Sequence, residues 1–453
     1  MDWTLIIWMV GAAFTAVAIY TFIGFIPGTD ETSVLLPITL GVVLLGFDPM
    51  VVLTFFIAAI VTLNLTNVMP TAIVNLPGGV MSSSMIEHSI VIKEEGRSAE
   101  IIKRMAAASA IGVMISVPLS LGLAFLLTPF AETIEPYASY LFIIGAIFLS
   151  LISRAKVLSL MAIIPLSVLF MGLRHLYWGT GVVDEGTTVT VSFFLGITVG
   201  PLLVSLFRLL NPKTYEEAII HEENAIAIPK ADGDHGHNPF KRLNPSERNH
   251  AGIGAIVVNF LFVLSPVGLT ILIGESFGKR FKDKVERAIM SVTTMSAVVQ
   301  ATYLSGIIIP LLALGIPLSP VAIGPGNALF RADPVYTLDH NIHHMLGFVD
   351  FSFAVILGAG IALVLSYSLI TRYALPITRH ILKRVPHESV LALFIAFIML
   401  LAYMDAGLVN IFGVLLVGLF SGSLHRMGVN YGVQFMSLYA APLIIDLLTG
   451  VVA

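Results

Sequence analysis

Long apolar runs separated by short polar punctuation cover almost the whole chain. The first occupies residues 4–26 and ends at Gly24-Phe-Ile-Pro27-Gly28-Thr29-Asp30-Glu31. Residues 33–66 are apolar but interrupted at Gly46-Phe-Asp48-Pro49, and read as two short spans or one kinked one. Further runs cover about 105–128, 137–153, 157–172 and 189–210, then 251–273, 285–305, 350–371, 388–404, 406–422 and 430–450. A crossing helix needs roughly 20 apolar residues, so the pattern predicts roughly ten to twelve helical spans. The runs are continuous, not alternating with period two, which argues against a β-barrel.

Two stretches do not suit plain spanning helices. Pro70-Thr-Ala-Ile-Val-Asn75-Leu-Pro77-Gly78-Gly79-Val-Met-Ser82-Ser83-Ser84 is one, and Pro310-Leu-Leu-Ala-Leu-Gly315-Ile-Pro317-Leu-Ser319-Pro320 is the other. Proline removes a backbone donor and glycine weakens the helix further. In hydrocarbon, freed backbone groups are tolerated only inside protein or along a wet cavity. Pro70 and Pro77 recur 240 residues later as Pro310 and Pro317, and Pro136 recurs as Pro376 at the same offset. Pro27 matches Pro266 and Pro201 matches Pro442 at nearly the same spacing. The chain therefore reads as two repeats, 1–211 and 251–453, joined by a polar loop at 212–250.

Loop charge bears on how the repeats are oriented. Asp30 and Glu31 follow Pro27, whereas Lys279, Arg280, Lys282, Lys284 and Arg287 follow Pro266. After the punctuated stretches the bias swaps: Lys93, Arg97, Lys103 and Arg104 stand in the first half, Arg331 with Asp333 and Asp339 in the second. Equivalent loops thus favour opposite sides. The expectation is an all-α polytopic protein with two inverted-topology repeats, each carrying a Pro/Gly-broken helix or re-entrant hairpin.

Composition agrees with this picture. Of 453 residues, 57% are hydrophobic and only 11% charged, and mean hydropathy is +0.94. Soluble domains carry about 25% charged residues, so a multi-pass protein of the cell membrane is expected. Met1-Asp2-Trp3 lacks the basic start of a cleaved signal, so the first span should be retained. There is no cysteine, which excludes disulfides, thiolate nucleophiles and iron–sulfur ligation. The net charge of −4 is mixed and no basic tract points to nucleic acid. No Walker A loop, HExxH, GxGxxG or nucleophile–base pair occurs, so the reading is not an enzyme.

The punctuated stretches are the candidate solute site. A helix starting after Pro77-Gly78-Gly79 would offer free N–H groups and a positive dipole end to an anion. Ser82, Ser83 and Ser84 would add hydroxyls, and Gly315, Pro317 and Ser319 would form the counterpart. Asn64, Thr66, Asn67 and Asn75 carry oxygens that suit a small hard cation, with Thr294 and Thr302 in the corresponding region. Simple interhelical hydrogen bonding is the competing reading for these residues. Glu87, after the serines, is a further ion-coupling candidate, and Asp48, Asp350 and Asp405 fall at span ends. The histidines near Asp339-His340 and Asp232-Gly-Asp-His235-Gly-His237 read as exposed loops, and no metal site is expected.

Gly24-Phe-Ile-Pro27-Gly28-Thr29, Asn75-Leu-Pro77-Gly78-Gly79 and Lys93-Glu-Glu-Gly96-Arg97-Ser-Ala resemble the first repeat of the large membrane subunit of tripartite tricarboxylate transporters, the TctA family. Leu314-Gly315-Ile-Pro317 and Gly324-Pro325-Gly326-Asn-Ala-Leu-Phe330 resemble its second repeat. The family's glycine after the second-repeat proline is Leu318 here, which marks a divergent branch. The resemblance implies cation-coupled uptake of a carboxylate. Its motif positions are Pro27, Gly28, Asn75, Pro77, Gly78, Gly315 and Pro317, to which Thr29, Gly79, Ser82, Ser83 and Ser319 add neighbouring donors. It implies no cofactor beyond a sodium ion or proton. The implied partners are a small membrane subunit, an extracytoplasmic solute-binding protein and membrane lipids; a homo-oligomer is open. Carriage of an anionic lipid or neutral metabolite, or a non-transporting scaffold, are the alternatives.

Overall fold

In a computed structural model of the chain, the described residues are 2–27, 29, 31–74, 78–134, 137–185, 189–209, 238–384 and 387–452. Gly28, Asn75 and Pro77, most of the polar loop and the side chain of Ser83 lie outside them. The described residues are nearly all helical, with no strand and only two isolated bridges.

The first half contains α1 (Trp3–Gly24), α2 (Glu31–Leu44), α3 (Pro49–Thr66), the short α4 (Met69–Val74), α5 (Ile86–Glu94), α6 (Ser98–Leu127), α7 (Ala138–Ile152), α8 (Lys156–Gly179) and α9 (Thr190–Leu209). The second contains α10 (Pro245–Phe260), α11 (Pro266–Gly278), α12 (Lys284–Ile309), α13 (Phe348–Arg384), α14 (His387–Arg426) and α15 (Tyr431–Val452). Among the described residues, eight helical stretches are long and apolar enough to cross a membrane, and four shorter apolar helices accompany them. The ambiguous run at 33–66 resolves into α2 and α3. Asp48 starts α3, its carboxylate accepting from Met50 N at 2.8 Å, with Pro49 at the first helical position. Asp283 caps α12 in the same way, accepting from Val285 and Glu286.

α3 and α12 occupy the centre, and the apolar windows of both are entirely buried. They meet where Gln300 Nε2 donates to Val61 O at 3.1 Å, two positions 239 residues apart in the chain. Around them the halves exchange partners: α6 of the first packs on α12, and α13 of the second packs on α3. Both crossings are tight for the same reason. A Cβ on Gly112 of α6 would lie 2.5 Å from the Ala297 carbonyl oxygen, and one on Gly358 of α13 would lie 2.6 Å from that of Thr54. Small residues let helix backbones approach in membranes, where dispersion and not water exclusion drives association. The outer layer repeats the exchange. α9 packs on α14, with Gly200 and Gly422 backbone to backbone, while α15 packs on α7 and α8.

α14 is not continuous. Ala406 (φ −151°, ψ 31°) and Gly407 (φ 72°, ψ −162°) leave helical geometry. Asn410 Nδ2 donates to Ala402 O at 2.7 Å, eight residues back. A straight helix would hold those positions roughly 12 Å apart along its axis, so the chain turns sharply there. The apolar runs 388–404 and 406–422 meet at this point. Ser192 of α9 donates to the Asp405 carboxylate and accepts from Asn410, closing the break.

Candidate substrate and ion site

The first tip is built around a carboxylate. Glu31 opens α2 and is only 2% exposed. Its Oε1 accepts from Asn67 Nδ2 at 3.0 Å and Met81 N at 3.3 Å, and its Oε2 from Val80 N at 3.1 Å. Gly78 and Gly79 are where they are because nothing larger fits. A Cβ on Gly78 would fall 1.8 Å from the Asn67 carbonyl oxygen, and one on Gly79 would fall 2.2 Å from Asn67 Nδ2 and 2.5 Å from Glu31 Oε1. Ser82 Oγ accepts from Gly79 N at 2.9 Å and donates to Gly79 O at 3.0 Å, while Ser84 Oγ turns onto Met81 O. Thr29 donates to Ile26 O at 3.0 Å and lies 3.4 Å from Gly78 O.

These bonds correct one expectation. The N–H groups after Gly78-Gly79 are not left free for a solute. Val80 and Met81 give theirs to Glu31, Gly79 gives its own to Ser82, and the segment Ser82–Met85 is a 3-10 turn, not the start of a long helix. An internal anion stands where a bound one was expected, because the tip folds back onto a residue 49 positions earlier.

The second tip is held by neutral groups. Pro310–Leu314 form one π turn, which Gly315 ends in the left-handed region at φ 66°. Gly315 O accepts from Asn341 Nδ2 at 2.9 Å, and the His343 ring lies 2.9 Å from where a Cβ would stand. His343 Nδ1 is 2.9 Å from Leu312 O. Ser319 donates to Gly306 O and accepts from Ala322 N at 3.0 Å, capping the turn Pro320–Ile323. Gly315, Pro317 and Ser319 are buried, and the surface they brace is presented by the residues that follow.

That surface is one wall of a cavity of about 1050 Å³. Glu31, Gly79, Val80 and Met81 contribute from the first tip, and Pro320, Val321, Gly324 and Pro325 from after the second. The remaining walls are the start of α11 (Ser265 to Leu269), the α7–α8 link (Ser153 to Ala155) and the α14–α15 link (His425 to Gly432). Tyr303, Tyr431 and Phe435 add aromatic surface, and Arg154, His425 and Arg426 add basic groups. Of the anticipated solute residues, Gly79 reaches the wall; Pro27, Thr29, Gly78, Ser82, Gly315, Pro317 and Ser319 do not line it.

The ion-coupling candidates separate. Thr302 donates to Val298 O and Val299 O, both at 3.0 Å, and Thr66 to Thr62 O at 2.9 Å, so both serve local helix backbone. Thr294 Oγ1 rests 3.9 Å from Met290 Sδ. Glu87 is exposed at the surface, while its neighbour His88 pairs with Glu275. Asn64 and Asn67 stand apart. Both are 2% exposed, and Asn64 Oδ1 and Nδ2 and Asn67 Oδ1 have no hydrogen-bond partner among the described residues.

Residues 10–433 match the sequence profile of the Tripartite tricarboxylate transporter TctA family. The chain belongs to the TctA family. No curated protein and no solved structure matches it. Membership of a transporter family, together with eight helices able to cross a bilayer, makes it a multi-pass membrane protein. The TctA match covers both tips, with Pro27, Gly78, Gly315 and Pro317 among the described motif positions. Reading the sequence missed Glu31, Arg154, His425 and Arg426 as wall residues. Arg154 and Arg426 sit in links between apolar runs, where charge ordinarily means only a solvated turn.

Proposed function

We propose that the protein is a cation-coupled secondary transporter for a small organic anion, a di- or tricarboxylate, working by alternating access around the cavity between the two tips. The single observation that carries this reading is that cavity, framed by both broken-helix tips and fringed by Arg154, His425 and Arg426. Broken helices at a repeat interface are a common way to build transporter sites, and arginine matches the geometry of a carboxylate with paired donors. On this reading the two halves are the inverted repeats that loop charge suggests, and their helices pack on one another across the middle of the protein. By family, the chain would act with a small membrane subunit and an extracytoplasmic binding protein.

Uptake of radiolabelled citrate and related acids into proteoliposomes, with and without sodium and pH gradients, tests the reading. We expect gradient-dependent uptake. Arg154→Ala and Arg426→Ala should each raise KM about tenfold, near the loss expected for one charged hydrogen bond. Absence of gradient-dependent uptake of any small carboxylate, with the partner subunits also supplied, would sink it.

A further inference from the structure

We propose that the cavity opens sideways onto the bilayer between α7 and α11 and holds one anionic phospholipid there, its phosphate on Arg154 and Arg426. This names a second ligand for the cavity and stands on the cavity's walls, whichever solute is carried.

The side opening is read from the faces of two helices. On α7, Tyr140, Ile144, Phe148 and Leu151 recur at helical spacing and are exposed, while Phe142, Ala146 and Leu149 are buried behind them. On α11, Ile271 and Leu272 are exposed, whereas Leu269, Thr270 and Ile273 are buried. Phe148, Ile271 and Leu272 are 40%, 42% and 62% exposed, as side chains turned towards lipid are, yet all three also line the cavity. Both edges of the cavity therefore run out onto the apolar flank of the protein. Acyl chains fill such a gap at less cost than water against apolar walls.

The charge at the rim is an independent observation. Arg154 stands in the α7–α8 link and Arg426 ends α14, and both line the cavity. The links join apolar runs, which places them at the membrane boundary. They are fastened to each other. Ala155 N donates to Gly428 O at 3.4 Å, and a Cβ on Gly428, whose φ is 97°, would lie 3.3 Å from Arg154 Cβ. Both arginines are exposed, and among the described residues neither makes an ion pair. Residues 153–156 and 425–432 add Lys156 and contain no Asp or Glu. Glu31 stands on the wall formed by the first tip, so an anion is directed to the links.

These two observations select the ligand. Arginine matches the paired oxygens of a phosphodiester, and basic pockets between membrane spans suit anionic headgroups. The apolar edges suit acyl chains, which inorganic phosphate and small carboxylates lack. A lipid and a carboxylate would compete for the same two arginines, so the lipid would set how freely the cavity accepts its solute.

The test is native mass spectrometry of the full-length chain, delipidated in neutral detergent and titrated with dioleoylphosphatidylglycerol or dioleoylphosphatidylcholine. We expect the glycerol lipid to bind about tenfold or more tightly than the choline lipid. Arg154→Gln with Arg426→Gln should shrink that preference to about threefold or less. Leu272→Glu should weaken binding of both lipids, and glycerol 1-phosphate in large excess should displace neither. Equal affinity for the two lipids overturns the site, as does a preference that survives in the double arginine variant. Unchanged lipid binding in Leu272→Glu overturns the side opening, and full displacement by glycerol 1-phosphate makes this a site for free phosphate. Gradient-driven citrate uptake without any phosphatidylglycerol preference defeats the lipid site and leaves the transporter reading standing; the preference without uptake does the reverse.

Discussion

The two tips share a proline–glycine outline but are secured by different chemistry. At the first, a buried carboxylate gathers two backbone N–H groups and an amide, and the glycines press against Asn67 with no room for a methyl group. At the second, a hydroxyl, an amide and an imidazole satisfy single carbonyls, and Gly315 is required by its positive φ as much as by space. A duplicated backbone outline can thus be retained while one copy acquires a charge.

Paired substitutions sharpen this contrast. The largest effect is expected at Gly78→Ala, whose Cβ would meet the fixed backbone of Asn67; overpacking of that severity should cost about 3 kcal/mol or more and prevent recovery of folded protein in size-exclusion chromatography. Gly315→Ala should be milder, about 1–2 kcal/mol from the left-handed backbone, because the neighbouring His343 ring can shift. Next come the anchors. Glu31→Ala leaves several buried donors unsatisfied and should lower Tm more than Ser319→Ala, which loses a cap of about 1 kcal/mol. Equal losses would mean that the charge adds nothing to the first tip. Gly112→Leu and Gly358→Leu, at the exchanged crossings, should destabilise to a similar degree, and a large asymmetry would count against equivalence of the halves. The smallest effects are expected at Thr294→Val and Thr302→Val. Tm should change little, since the Thr302 hydroxyl serves its own helix and the Thr294 hydroxyl rests on the Met290 sulfur.

Much of the fold was legible because membrane spans and prolines leave local marks. The runs meeting at Asp405 are an example. Their junction is the sharp turn at Ala406–Gly407, even though helix continues on either side. The pairing of Pro70 with Pro310 likewise led to both tips. The occupant of the first tip's N–H groups was not legible. Glu31 follows Asp30 in what reads as a polar turn, and its burial depends on contact with residues 49 and 50 positions later. The threonines misled for the opposite reason. Thr66 and Thr302 look like free oxygens in a sequence, but a helix offers such hydroxyls their own preceding carbonyls.

The exchange of partners between halves has a consequence for biosynthesis. α3 is wholly enclosed in the finished protein; α1 packs on it from the start, but α12 and α13, which complete the enclosure, are translated more than 200 residues later. During that interval the faces of α3 that α12 and α13 will cover, with the buried Asn64 among its residues, must rest in lipid or against temporary neighbours. Insertion machinery able to shelter a polar-bearing helix until the second half emerges is therefore part of what this architecture demands. A ribosome-stalled first half should accordingly crosslink to such a chaperone through positions near Asn64.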